Sequence, residues 1–103
     1  MTILDEVLKE EYERLSRGIG LVREELEGLP KGYISEKKIG NNAYYYLQRR
    51  EGGKILSKHI KKDELEPYKT LIEHRKKLSK QIKDMEFEQQ KIKAALKKVK
   101  DND

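Results

Sequence analysis

Apolar side chains recur along the first third of the chain at Leu8, Tyr12, Leu15, Ile19, Val22, Leu26 and Leu29, a 4-3-4-3-4-3 alternation. That spacing lines one narrow face of a helix, and such a face needs a partner helix to cover it. A second seam follows at Leu71, Arg75, Leu78, Ile82, Met85, Gln89, Ile92, Leu96 and Val99. Arg75 and Gln89 interrupt it with polar groups of the kind that set register or partner at some cost in stability. Between the seams the pattern changes to that of short strands. The prediction is an α+β chain: a helical hairpin (coiled coil) of two long helices with a three-stranded antiparallel β-meander at the bend. The expected spans are helix over 3–29, meander over 31–62 and helix over 64–99, within a single domain of residues 1–103.

Local chemistry supports these boundaries. Thr2 followed by Asp5 and Glu6 supplies a capping side chain and acids for the positive end of a helix dipole. Gly28-Leu29-Pro30 stops the same helix. Gly18 and Gly20 each cost about 1 kcal/mol relative to alanine, yet the heptad phase runs unbroken across them. One helix with a soft point or a close backbone approach is therefore expected. Tyr33 to Ile39 reads as a strand, Gly40-Asn41-Asn42 as a turn and Ala43 to Arg50 as an aromatic-rich strand. If Gly52-Gly53 forms a two-residue primed turn, Glu51 faces Lys54, Arg50 faces Ile55, Gln48 faces Ser57 and Tyr46 faces His59. Alternation then puts Tyr45, Leu47, Leu56 and Ile60 on one face. Tyr44, Tyr46, Gln48, Arg50, Ser57 and His59 share the other with Ile55.

Asp63-Glu64-Leu65-Glu66 has capping-box spacing and opens the last helix, with Pro67 tolerated in its first turn. At 1.5 Å per residue this helix is about 50 Å long from Pro67 to Val99, against about 39 Å for the first. The difference predicts an overhang in which Ile92, Leu96 and Val99 project past the start of the first helix. Together with Leu4 and Leu8 they form the expected oligomer interface, in a homodimer.

Composition narrows the function classes. With 35% hydrophobic and 42% charged residues in 103, the chain is too polar for a thick core. Zero cysteines exclude disulfides, thiolate metal sites and cysteine nucleophiles. No stretch reaches the roughly 18 apolar residues of a membrane span, and the start lacks the order of a signal peptide, so a cytoplasmic protein without membrane contact is expected. The histidines, His59 and His74, form no His-Glu-x-x-His pattern, and Gly18-Ile19-Gly20 lacks the rest of a phosphate loop. The expectation is a non-enzymatic protein with no metal and no cofactor.

The net charge of +5 is unevenly distributed: −4 over residues 1–30, +7 over 31–62 and +2 over 63–103. The central excess is free to meet an external anion. Tyr44, Tyr46, Gln48, Arg49, Arg50, Lys54, Lys58, His59, Lys61 and Lys62 are therefore the candidate nucleic-acid or partner-binding residues, because aromatic faces stack on bases while cations meet phosphates. A second basic set, Arg75, Lys76, Lys77, Lys80 and Lys83, is expected to pair with the acidic first helix at Glu10, Glu11, Glu13, Glu24, Glu25 and Glu27.

Leu29-Pro30-Lys31-Gly32, Tyr44-Tyr45-Tyr46-Leu47-Gln48 and Arg50-Glu51-Gly52-Gly53-Lys54 with Ser57-Lys58 resemble a loose group of small uncharacterised prokaryotic proteins that carry this β cassette between coiled-coil helices. In size, charge segregation and lack of an active site the chain is also similar to anti-CRISPR inhibitors of Cas9-type effectors, and its cassette looks like the three-stranded DNA-binding arms of some integrases. These resemblances imply an interaction protein of phage or mobile-element type that inhibits or modulates nucleic-acid machinery. The alternatives are a sequence-tolerant DNA- or RNA-binding module and a structural coiled-coil adaptor.

Overall fold

The computed structural model describes residues 2–101, with side chains placed as far as Lys98. The element order is helix α1 (Ile3–Glu27), strands β1 (Tyr33–Ile39), β2 (Asn42–Glu51) and β3 (Lys54–Ile60), a short 3-10 turn (Lys62–Glu64) and helix α2 (Leu65–Asp101). The fold is α+β, with two helices flanking a three-stranded antiparallel sheet of order β1-β2-β3. Two compact units result: Met1–Glu27 with Leu78–Asp103, and Gly28–Lys77.

In the helical unit, α1 starts where its cap predicts. The Asp5 N–H donates to Thr2 Oγ1 at 3.2 Å, and the Thr2 N–H donates to Asp5 Oδ2 at 3.3 Å. Arg23 pairs with Glu86 at 2.6 Å, Gly18 lies against Met85, and Gln89 reaches back to Ser16 and Tyr12. Positions that rise along α1 thus meet positions that fall along α2, so the two segments run antiparallel. Leu15, Ile19, Leu78, Ile82 and Ile92 are the buried side chains. Gln89 Nε2 donates to Ser16 Oγ at 2.6 Å and to the Tyr12 carbonyl at 3.1 Å. This polar interruption is satisfied in one register only, and a shift of either helix would leave a half-buried amide unpaired.

The two helical glycines differ. A Cβ at Gly18 would come within 2.7 Å of Met85 Cε, whereas one at Gly20 would meet nothing within 4 Å. Gly18 is therefore the close-approach point, and the unbroken helix carries Gly20 at a propensity cost only.

The expected overhang does not form. Ile92 is buried and Leu96 half-buried, while the side chain of Val99 lies outside the described residues. The pairing of Gln89 with Tyr12 and Ser16 sets Leu96 opposite the first turns of α1. The extra length of α2 belongs to its other end, residues 65–77, which are part of the sheet-bearing unit. The same division explains a phase error in the second seam: Leu71 is 40% exposed, and its neighbour Ile72, at 7%, is buried instead. Ion pairs of α2 placed among the described residues include one within the helix and one across to α1. Lys76 meets Glu73 of its own helix at 3.6 Å, and in the cross-helix Arg23–Glu86 pair α1 provides the cation.

In the sheet-bearing unit, two tight turns set the whole register. Gly40 (φ 62°) and Asn41 connect Ile39 to its partner Asn42, and Gly52 (φ 58°) and Gly53 (φ 77°) connect Glu51 to Lys54. Two successive positive φ values are those of a type I′ turn, whose twist matches the strands it joins. Gly32 (φ 114°) precedes β1, and a Cβ there would collide with the Gln48 carbonyl oxygen. Ile60, 2% exposed, and Ile72 are buried in this unit. Arg75 donates to the Leu29 carbonyl at 3.3 Å, so the other polar interruption of the seam ties α2 to the segment that follows α1.

Candidate nucleic-acid interface

Register decides which candidate residues act together. Residues directly opposite in an antiparallel pair point to the same side. The rows Tyr33–Gln48–Ser57 and Ser35–Tyr46–His59, and the pairs Lys37–Tyr44, Ile39–Asn42 and Arg50–Ile55, therefore share one face. Ile34, Glu36, Lys38, Ala43, Tyr45, Leu47, Arg49, Glu51, Lys54, Leu56, Lys58 and Ile60 share the other. The first face contains Lys37 and Arg50 and no carboxylate; the second contains four cations, Glu36 and Glu51. Both faces come to a formal +2.

The acid-free face holds a group of rings. Tyr46 and His59 meet edge-on with centroids 5.6 Å apart and planes at 70°, and Tyr44 lies 6.5 Å from His59 at 50°. Lys37 Nζ stands 6.0 Å from the centre of the Tyr46 ring, within reach of a cation–π contact. Gln48 Nε2 donates to Ser57 Oγ at 3.1 Å across the strands. Among the described residues neither Lys37 nor Arg50 has a carboxylate partner. Tyr33, Ile39, Tyr44 and Ile55 are exposed. At the edge of this face an open hollow of about 340 Å³ is lined by Tyr44, His59 and Lys62, among others.

The mixed-charge face has internal partners. Arg49 pairs with Glu51 at 3.1 Å. Lys58 Nζ donates to Tyr68 Oη at 3.0 Å and lies 5.6 Å from the centre of that ring, which brings β3 against the first turns of α2. The hydrogen bond to Tyr68, with its charge and that of Glu64, pushes the Lys58 ammonium above its ordinary pKa of 10.5. Toward the turn this face opens: Tyr45 and Leu47 are half-buried, but Leu56, expected in the apolar cap, is exposed.

The ten expected binding residues are thus divided. Tyr44, Tyr46, Gln48, Arg50 and His59 come together, with Lys62 at the margin, whereas Arg49, Lys54 and Lys58 lie on the opposite side. Lys61 is in the segment after β3, where its N–H donates to Glu64 Oε1 at 3.4 Å. Of the expected interface residues, Leu4 is exposed and Leu8 half-buried. Sequence reading missed Lys37 because it left the partner of β1 undetermined. The signal was present in Gly40-Asn41, which as a two-residue turn fixes Ile39 on Asn42 and hence Lys37 on Tyr44.

Residues 2–70, which hold α1, the entire sheet and the start of α2, match a protein family described as a domain of unknown function, DUF6788. The chain belongs to the DUF6788 family. The DUF6788 match contains both sheet faces in full and ends at Thr70, near the start of α2. No curated protein and no solved structure matches the chain. Among the described residues no cluster of three or more His, Asp or Glu side chains is placed to hold a metal ion. No helix there is long and apolar enough to cross a membrane.

Proposed function

We propose that this protein is a non-enzymatic interaction module that acts on nucleic acid, gripping it with the acid-free face of the sheet and tolerating many sequences. The observation that carries this reading is that the exposed rings of Tyr33, Tyr44 and His59 share a face with Lys37 and Arg50, two cations without a carboxylate partner among the described residues. A phosphate backbone releases counterions when it meets such cations, and bases offer π faces to the rings. With five residues of the expected set on one side, the direct binding module is favoured over a protein-directed inhibitor of a Cas9-type effector, which needs no preference for aromatic rings.

The helical unit supplies the scaffold. Ile3, Leu4 and Val7 are exposed at the start of α1, and a pair of helices has only two layers with which to bury them. The two seams continuing as a coiled coil with a second copy would cover this surface, in a homodimer that carries two sheets. Light scattering checks the mass.

The function is tested by binding of a labelled random oligonucleotide to the purified protein over a salt series. Binding that weakens steadily with salt is the expected result. Absence of binding at low salt, together with capture of a nucleic-acid-processing protein that survives nuclease treatment, would favour the inhibitor.

A further inference from the structure

We infer that the acid-free face takes unpaired bases, so that its ligand is a single strand and not a duplex. This rests on the nucleic-acid reading above and specifies its substrate.

The ring geometry is the first argument. Tyr44 and Tyr46 meet His59 tilted or edge-on and not stacked, a geometry that covers at most one face of one ring in each pair and leaves the exposed Tyr44 a flat face for a base. Tyr44 and Tyr46 are two positions apart on β2, a separation of about 7 Å. That is twice the base rise of about 3.4 Å in a stacked strand. Neighbouring bases can occupy neighbouring rings only once they have come out of a stack, which a duplex resists and a single strand permits.

Charge is the second argument. A duplex binder draws most of its affinity from neutralised phosphates, and this face brings only Lys37 and Arg50. Two contacts predict a log–log salt slope of about −1.4 on a single strand and about −1.8 on a duplex, with too few neutralised phosphates to hold a duplex tightly. The shortfall has to come from stacking, which is insensitive to sequence because every base has a π face. Hydrogen-bond readout in a groove is weakened as well, since Gln48 has committed one of its two amide N–H donors to Ser57.

The test is fluorescence anisotropy on the full chain, with a mixed-sequence oligonucleotide of about 12 nucleotides offered single-stranded and annealed to its complement. The single strand is expected to bind about tenfold or more tightly than the duplex. Tyr44→Leu, which removes the π face but keeps an apolar side chain, should weaken the single strand by about 5- to 50-fold, and Tyr44→Phe should restore it to within about twofold. Circular dichroism establishes that each variant folds, and Tyr46→Leu provides a second removal if Tyr44→Leu does not. Equal or tighter binding of the duplex would overturn the inference, as would an unchanged Tyr44→Leu beside a weakened Arg50→Gln. Both outcomes leave the nucleic-acid reading in place. Failure of either form to bind at low salt would overturn that reading itself.

Discussion

On one side of the sheet Arg49 answers Glu51, Lys58 is held by Tyr68, and Ile60 is buried. On the other, neither Lys37 nor Arg50 has a carboxylate partner among the described residues, and four large apolar or aromatic side chains reach solvent. The two sides carry the same formal charge. What separates them is the distribution of carboxylates, set by the parity of each residue along its strand. A count of basic residues over 31–62 cannot see this, since Arg49 and Arg50 are adjacent in the chain and point in opposite directions. On the mixed-charge side Arg49 and Lys58 have partners within the protein, while on the acid-free side neither Lys37 nor Arg50 has a carboxylate partner among the described residues.

The most severe way to break the comparison is to lose the register itself. Gly32→Ala would put a Cβ against the Gln48 carbonyl and require a φ that alanine rarely adopts. Both faces depend on β1 pairing, so a loss of more than about 3 kcal/mol is expected in urea unfolding. A second pair of variants compares the sides within a single strand. Ile60→Ala should cost about 3 kcal/mol, since Ile60 is 2% exposed, whereas Ile55→Ala should stay within about 0.5 kcal/mol, since Ile55 is 56% exposed. Similar losses at the two positions would mean that the acid-free face is packed as well.

The smallest effect concerns pH. Because Lys58 has its pKa raised in the fold, its contribution to stability is fully present below the ordinary lysine value of 10.5 and is lost as pH rises through the higher folded value. Thermal melts across that range should show the native protein losing a small increment of stability above about pH 10.5 that Lys58→Met has already lost at neutral pH. A parallel pH response in the two proteins would show that the Tyr68 contact contributes nothing.

Much of this arrangement was legible in the residues. Gly52-Gly53 alone fixed the β2–β3 register from Glu51–Lys54 to Tyr46–His59, because a two-residue primed turn allows one alignment. Thr2 and Asp5 marked the start of α1, and the interruptions at Arg75 and Gln89 both proved to be satisfied hydrogen-bond donors. The second seam failed at Leu71 because a heptad phase presumes one partner throughout, while residues 65–77 of α2 belong to the unit that contains the sheet. The overhang failed for the same reason, since two helix lengths do not say at which end the longer one is in excess. As for the site, the rings were visible and their cation was not. Lys37 looked like one lysine among nine central basic residues until β1 was aligned on β2.

The central claim is that the face, and not the charge, selects the ligand. It is tested most directly by comparing the single-stranded oligonucleotide affinity of Lys37→Gln/Arg50→Gln with that of Arg49→Gln/Lys58→Gln over the same salt series, starting from one low concentration. Each double variant removes two positive charges, so long-range attraction falls equally in both. The account predicts that the first pair loses at least about tenfold more affinity than the second, with the salt slope reduced by about 1.4 only in the first. Equal losses, or a larger loss from the second pair, would contradict it.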